Sequence, residues 1–168
     1  VRALLEASDA APGSARWLSP DEVTAVLRAY GIATPASRVA ATAAEAAAHA
    51  AAIGYPVAVK LASATITHKS ELGGVRLGLA DAAAVEAAVR AMEERLTRDG
   101  RRAEMSGVLV QAMVPAGVET FVGATRSDSY GPLIAFGLGG VNVELWKDVV
   151  FRVNPITSVD AEEMLDDV

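Results

Sequence analysis

The 168-residue sequence has no cysteine, which removes disulfides and thiolate metal sites and suits, without requiring, a reducing compartment. Aromatic residues make up only 5%. No run of about 18 apolar residues occurs, so no membrane-spanning helix is expected. Cations are in deficit, with 15 Lys and Arg against 21 Asp and Glu and a net charge of -6. A nucleic-acid surface needs clustered cations to displace counterions. The one basic cluster, Arg98 to Arg102, falls at an expected helix end, where cations suit the dipole. The chain opens on Val1 rather than Met, without a signal peptide's basic start and apolar centre. The expectation is an excised piece of a longer cytoplasmic polypeptide.

The apolar fraction of 52% is inflated by alanine, yet the length suffices for one domain with a real core. Val1 to Arg16 reads as a linker around Ala-Pro-Gly-Ser. Ser19-Pro20-Asp21-Glu22 predicts a capped helix whose Val23, Val26, Leu27 and Tyr30 share a face, stopped by Gly31. A short strand is expected near Ser37–Ala40. Thr42 and Glu45 predict a second capping box on an alanine-rich helix ending at Gly54, with His49 on its surface. Asp81 opens a third helix with a stripe of Val85, Val89, Met92 and Leu96, closed by Asp99-Gly100. From Gly107 the period turns to strands. Val108 to Val114 reads as a buried strand, and Val118–Arg126 with Pro132–Leu138 as an antiparallel hairpin. Val141 to Val153 has strand character, and Ser158 is the expected start of a last helix. Early alternation of strands and helices followed by a run of strands predicts an α/β (α+β) fold in two packed subregions, and nucleotides often bind between such lobes.

The chain is organised around Tyr55 to Ala80, which reads as a strand, a polar loop, a Gly73-Gly74 turn and a second strand from Val75. Lys60 ends the first strand, where an unpaired buried charge would be costly. It either reaches phosphate oxygens in a cleft or snorkels into water. His68 lies among Thr65, Thr67, Lys69 and Ser70 rather than on an apolar face. Neutral imidazole is a competent nucleophile towards phosphorus. Lys69 would attract an anionic phosphoryl group and, by like-charge repulsion, keep His68 unprotonated; the alternative is an ordinary exposed histidine. Gly73 and Gly74 either admit a ligand or simply turn the chain. Glu119 and Glu144 are carboxylates beside strands, suited to ribose hydroxyls, a cation or a proton, or to a solvated face. Gly137, Gly139 and Gly140 permit close backbone approach. No nucleophilic triad, zinc cluster or Walker-type loop is present.

LSPDEVTAVLRAYGIATP, GYPVAVKLAS, ITHKSELGGVRLGL, VLVQAMVPAGVETFVGATRSDSYGPLIAFGLGGVNVE and KDVVFRV occur in that order over Trp17 to Val168. Together they resemble the ATP-grasp domain of NDP-forming (ADP-forming) acyl-CoA synthetases and acetate–CoA ligases and, more distantly, the succinyl-CoA synthetase beta subunit. The resemblance implies an ATP-grasp fold of two subdomains with mixed or antiparallel sheets, dividing near residues 107–114 and truncated at the C-terminus. It assigns Lys60 to ATP phosphates, the backbone of Gln111, Ala112, Met113 and Val114 to adenine, and Glu119 to ribose. His68 would accept the phosphoryl group and carry it between active sites. Lys69, Gly73, Gly74, Gly139, Gly140 and Glu144 would surround the phosphohistidine.

The implied ligands are ATP or ADP, Mg2+, and CoA held by a partner CoA-binding or ligase domain, fused or separate. No nucleic acid or membrane partner is implied, and the assembly state stays open. The family's metal ligands lie in a later segment resembling E-I-D-I-N-P-L, expected beyond residue 168. Asn154-Pro155-Ile156 resembles part of it but follows KDVVFRV directly, in the wrong place. Phosphoryl transfer depends on metal neutralising phosphate charge, so the fragment alone is expected to be inactive. The same domain also occurs fused to GNAT-type protein acetyltransferases, so a non-catalytic sensor of nucleotide or acyl-CoA is the alternative.

Overall fold

A computed structural model describes residues 18–66, 69–140 and 148–168. They form two units, the first ending at Val114 and the second beginning at Pro115.

In the first unit, α1 (Pro20–Ala29) starts on the expected capping box. Ser19 Oγ accepts from the Glu22 amide at 3.3 Å, and Glu22 Oε2 accepts from the Ser19 amide at 2.8 Å. The expected apolar face is formed but only partly covered: no residue of α1 is buried, Val26 and Leu27 are half-buried, and Tyr30 is 71% exposed. Periodicity aligns side chains on a face; it does not supply a surface opposite them.

There follow β1 (Ser37–Ala40), α2 (Ala43–Ile53), β2 (Val57–Ala62), β3 (Val75–Leu79), α3 (Ala82–Arg98), a 3-10 turn (Arg102–Glu104) and β4 (Gly107–Ala112). Thr42 caps α2 by accepting from the Glu45 amide, but Glu45 accepts from the Ala41 amide at 2.8 Å, one residue before the expected partner. Asp81 caps α3 through the Ala84 amide at 2.8 Å.

The four strands form one antiparallel sheet in the order β1-β4-β2-β3. Strand alternation divides it into two faces. Val57, Val59 and Leu61 of β2, with Val108 and Val110 of β4, point into a core closed by Ala46, Ala47 and Ala50 of α2 and by Val85, Val89, Met92 and Leu96 of α3. The α3 stripe is the one its period predicts. Each such side chain, taken fully out of water, contributes about 1.5–3 kcal/mol. Alanine along α2 allows that helix to lie close to the strands. The other face of the sheet bears Ser37, Val39, Ala58, Lys60, Ala62, Leu109 and Gln111.

The second unit is a three-stranded antiparallel sheet of β5 (Thr120–Ser127), β6 (Gly131–Leu138) and β7 (Val149–Val153), followed by α4 (Ser158–Asp166). The expected hairpin is β5–β6, in register from Thr120 opposite Leu138 to Ser127 opposite Gly131. Ser127 Oγ accepts from the Ser129 and Tyr130 amides to shape the turn. The strand expected from Val141 is described only as β7, since residues 141–147 lie outside the described residues. As expected, α4 starts at Ser158; its cap is Thr157, in a box with Asp160. Hydrogen bonds from the Thr157 side chain and backbone hold the Asp160 carboxyl below its usual range. Arg152 of β7 binds Asp167 Oδ2 at 2.9 Å, which ties the end of α4 to the sheet and raises the guanidinium's pKa. Among the described residues no helix is long and apolar enough to cross a membrane.

Candidate functional site

Lys60 lies two residues before the end of β2, on the sheet face away from α2 and α3. Its cross-strand neighbours are Val75 and Leu109, and Ala58 and Ala62 flank it along the strand. Gln111 sits opposite Ala58, diagonal to Lys60, and Lys60 Nζ donates to Gln111 Oε1 at 2.7 Å. Among the described residues no carboxylate pairs with this ammonium. A lysine has three N–H donors. A neutral amide engages one and leaves the half-buried charge unneutralised, so the arrangement favours an incoming anion. The sequence reading assigned Gln111 a backbone role, and its side chain proves to be the partner of Lys60. That partnership follows from β2–β4 register across 51 residues and has no local signal.

The expected adenine-pairing stretch straddles the end of β4, with Gln111 and Ala112 inside it and Met113 and Val114 after it. The Ala112 amide donates to the Ala36 carbonyl at 2.8 Å and the Met113 amide to the Pro56 carbonyl at 3.4 Å. Both donors are thus engaged within the unit, whereas the Met113 and Val114 side chains are exposed.

Thr67 and His68 lie outside the described residues, but both sides of that pair are described. Upstream, Ser63 Oγ accepts from the Thr65 and Ile66 amides, and Ile66 is buried in the core. Thr65 Oγ1 donates to Glu104 Oε2 at 2.6 Å. Arg101 forks onto the same carboxylate, Nε to Oε1 at 2.7 Å and Nη2 to Oε2 at 3.0 Å. Downstream, the Gly74 amide donates to the Lys69 carbonyl at 2.7 Å and the Gly73 amide to Ser70 at 3.0 Å, closing the expected turn. Arg95 and Arg76 bring their guanidiniums beside Gly73. Lys69, Gly73 and Gly74 are therefore together in one turn. Sequence reading missed the Thr65–Glu104–Arg101 chain, although the i,i+3 spacing of Arg101 and Glu104 was a usable signal.

The Arg101 hydrogen bond, then that of Thr65, lower the Glu104 carboxyl pKa from 4.5 to about 2. Because the folded pKa is depressed, the stabilisation is present above the unfolded value near 4.5 and is lost as pH falls towards 2. We expect Glu104→Gln to remove this part of the acid lability. Denaturant midpoints compared between pH 5 and pH 2.5 test it, and identical acid sensitivity in variant and parent would refute the assignment.

In the second unit, Glu119 and the glycine bend come together. The Gly139 amide donates to the Glu119 carbonyl at 2.7 Å. At Gly140, with φ +76°, a Cβ would stand 2.8 Å from Glu119 Oε2, a flexible carboxylate end that could move aside, so the left-handed backbone is what calls for glycine there. Glu144 lies outside the described residues. Among the described residues no group of three or more His, Cys, Asp or Glu side chains converges to hold a metal ion. The described residues therefore do not by themselves supply a donor set that fits magnesium. A groove of about 490 Å³ on α3, lined by Arg90, Glu93, Glu94, Thr97, Arg98 and Arg102, contains charges that answer one another, as in Arg102 with Glu93 at 2.8 Å. The candidate site is therefore placed at Lys60.

Residues 9–168 match the family model described as an ATP-grasp domain. The chain belongs to the ATP-grasp family. It is 40% identical over 148 residues to the 4-hydroxybutyrate–CoA ligase (ADP-forming) of Nitrosopumilus maritimus, covering 88% of this chain and 21% of the relative. It is 39% identical over 153 residues to the acetate–CoA ligase (ADP-forming) I subunit beta of Pyrococcus furiosus, covering 91% of this chain and 66% of that one. The acetyl-coenzyme A synthetase 1 of Ca. Korarchaeum cryptofilum, described as dinucleotide-forming and solved with coenzyme A and Ca-AMPCP, superposes with a TM-score of 0.86 at 38% identity. That likeness covers 98% of this chain and 71% of that chain. This ATP-grasp chain thus spans 21% of one curated relative and 66% of the other. The expected mixed α/β fold with antiparallel sheets is the one observed.

Proposed function

We propose that the intact protein is an ADP-forming acyl-CoA synthetase and that this ATP-grasp chain binds its nucleotide and passes a phosphoryl group between it and His68. Relatives named as ADP-forming CoA ligases support the reaction class. The observation that carries the nucleotide reading is Lys60, a half-buried cation on the sheet face away from α2 and α3, whose only hydrogen-bond partner among the described residues is the neutral Gln111 side chain. Lys60 would bind phosphate oxygens, and the backbone at Gln111 to Val114 would meet the adenine. In the second unit, Glu119, held by the Gly139–Gly140 bend, would accept from ribose hydroxyls.

In the forward direction an imidazole nitrogen of His68 bonds to phosphorus as the P–O bond of an acyl phosphate breaks, its electron pair leaving on the carboxylate. The N–P bond then breaks as a β-phosphate oxygen of ADP takes the phosphoryl group. Lys69, beside His68, would offset the charge of the phosphoryl group, with Gly73, Gly74 and Glu144 around it. Coenzyme A and the acyl group would be handled by a CoA-binding domain, fused or in a separate subunit, in keeping with a relative named as a beta subunit. Mg2+ would accompany the nucleotide. Cytoplasmic pools of nucleotide and CoA fit this chemistry. The relatives named above are CoA ligases and synthetases, which gives the acetyltransferase-sensor alternative no support.

Calorimetric titration of the full-length protein with Mg-ATP tests the nucleotide reading. A hydrogen bond to a charged group is worth about 1.5–3 kcal/mol, so Lys60→Met should weaken binding by roughly ten- to a hundredfold. Undiminished affinity would remove Lys60 from the site, and no binding by the parent protein would remove the function.

A further inference from the structure

The side chain of Gln111 is fixed in orientation by the cation it holds. An ammonium has three donors and no acceptor, so the amide atom turned towards it is the oxygen. Lys60 Nζ donates to Gln111 Oε1 at 2.7 Å, and the same contact turns Nε2, with its two N–H bonds, away from the lysine. Among the described residues no hydrogen bond engages that nitrogen. Two ammonium donors and two amide donors are left over from one contact, while the acceptor atom of the pair faces the lysine.

The backbone holds both side chains in place. Lys60 is on β2 and Gln111 on β4, the two inner strands of the sheet, each paired on both sides. Gln111 stands opposite Ser37 and Ala58, and Lys60 opposite Leu109 and Val75. Ala58, opposite Gln111 and two residues before Lys60, has too short a side chain to come between them. None of these cross-strand neighbours is a carboxylate. A glutamate at position 111 could grip Lys60 in the same geometry, but it would cancel the charge. The amide holds the ammonium and leaves its charge standing. Such a cluster of donors with net positive charge is matched by an anion with several acceptor oxygens. A phosphate group presents them close enough together to meet Nζ and Nε2 at once.

We propose that Gln111 binds phosphate through its side chain, Nε2 donating to the same phosphate group that Lys60 Nζ binds. An amide rather than a carboxylate at this position is then what keeps Lys60 open to the nucleotide. The inference rests on the proposed role of Lys60, and adds to it a second contact and a charge requirement.

The test is calorimetric titration of the full-length protein with Mg-ATP, with thermal melting measured on the same samples. Gln111→Glu keeps the size of the side chain, replaces the donor by an acceptor and pairs Lys60 with a carboxylate. It should weaken Mg-ATP binding about a hundredfold while melting no lower than the parent. A residue that served only the fold would lose stability and affinity together. Gln111→Met has neither donor nor acceptor but leaves the charge of Lys60 uncancelled, so its loss should be about tenfold. Parental affinity in either variant, or a melting temperature of Gln111→Glu that falls in step with its affinity, would overturn the proposal. Lys60→Met, titrated alongside, separates the two levels. If it binds Mg-ATP as the parent does, the nucleotide reading fails; if it is weakened while Gln111→Glu is not, only the role of Gln111 fails.

Discussion

Alanine at position 68 is expected to reduce phosphoryl transfer by roughly a thousandfold or more, the scale on which removing a covalent nucleophile acts, while nucleotide affinity holds. The chain has two histidines, which supplies an internal control. His49 sits on α2, 3.5 Å from Glu45 Oε1 and far along the chain from the central connector, so His49→Ala should label as the parent does. The label on the parent protein should have the chemistry of a phosphoramidate, lost in acid and kept in base. Labelling of His68→Ala at the parental rate, or transfer of the label to His49, would end the proposed role of His68. Affinity for Mg-ATP is measured alongside, since a simultaneous collapse would point to damage of the fold.

The second large effect is on stability. Gly107 opens β4 in the middle of the four-stranded sheet, opposite Ala62, and is buried with φ +144°. A Cβ there would overlap the Ala40 carbonyl oxygen and lie 3.2 Å from the Ala40 carbonyl carbon and 3.4 Å from the Ala41 Cα. These are backbone atoms of β1 and the segment leading into α2, so no side chain can swing aside. Backbone strain of about 1–3 kcal/mol combines with overpacking of similar size. Gly107→Ala should therefore cost about 3 kcal/mol or more and lower the melting temperature by more than about 10 °C. Gly117→Ala, with open space around it and no left-handed backbone, should melt like the parent. Circular dichroism during heating checks both. A melting temperature for Gly107→Ala within 2 °C (about 0.5 kcal/mol at most) of the parent would mean that β1 and β4 are not in the stated register.

Much of the fold could be read from local chemistry. The α3 stripe, the Ser19–Glu22 box, the Asp81 cap and the β5–β6 hairpin all depend on residues close in sequence, and each is found where its pattern puts it. The errors are instructive for the same reason. Val23, Val26, Leu27 and Tyr30 form a face that nothing in their own segment could show to be only partly covered. Glu45 accepts from the Ala41 amide instead of the expected Thr42 amide, a choice between adjacent donors that the spacing alone does not make. For the candidate site, residue types were legible and partnerships were not. Lys60 stood out as a charge in an apolar strand, but its link to Gln111 needs strand register, and Glu104 meets Thr65 only because β4 returns alongside β2.

The strand order β1-β4-β2-β3 has a consequence for how the protein is made. One of the two inner positions is filled by the last of these four strands to leave the ribosome, so until residue 112 emerges β1 has no partner strand among the described residues and β2 is paired on one side only. Unpaired edges of this kind invite contact with other nascent chains. Synthesis of the first unit is thus a wait followed by a single insertion, and a pause just before β4 is the interval in which a chaperone would matter most.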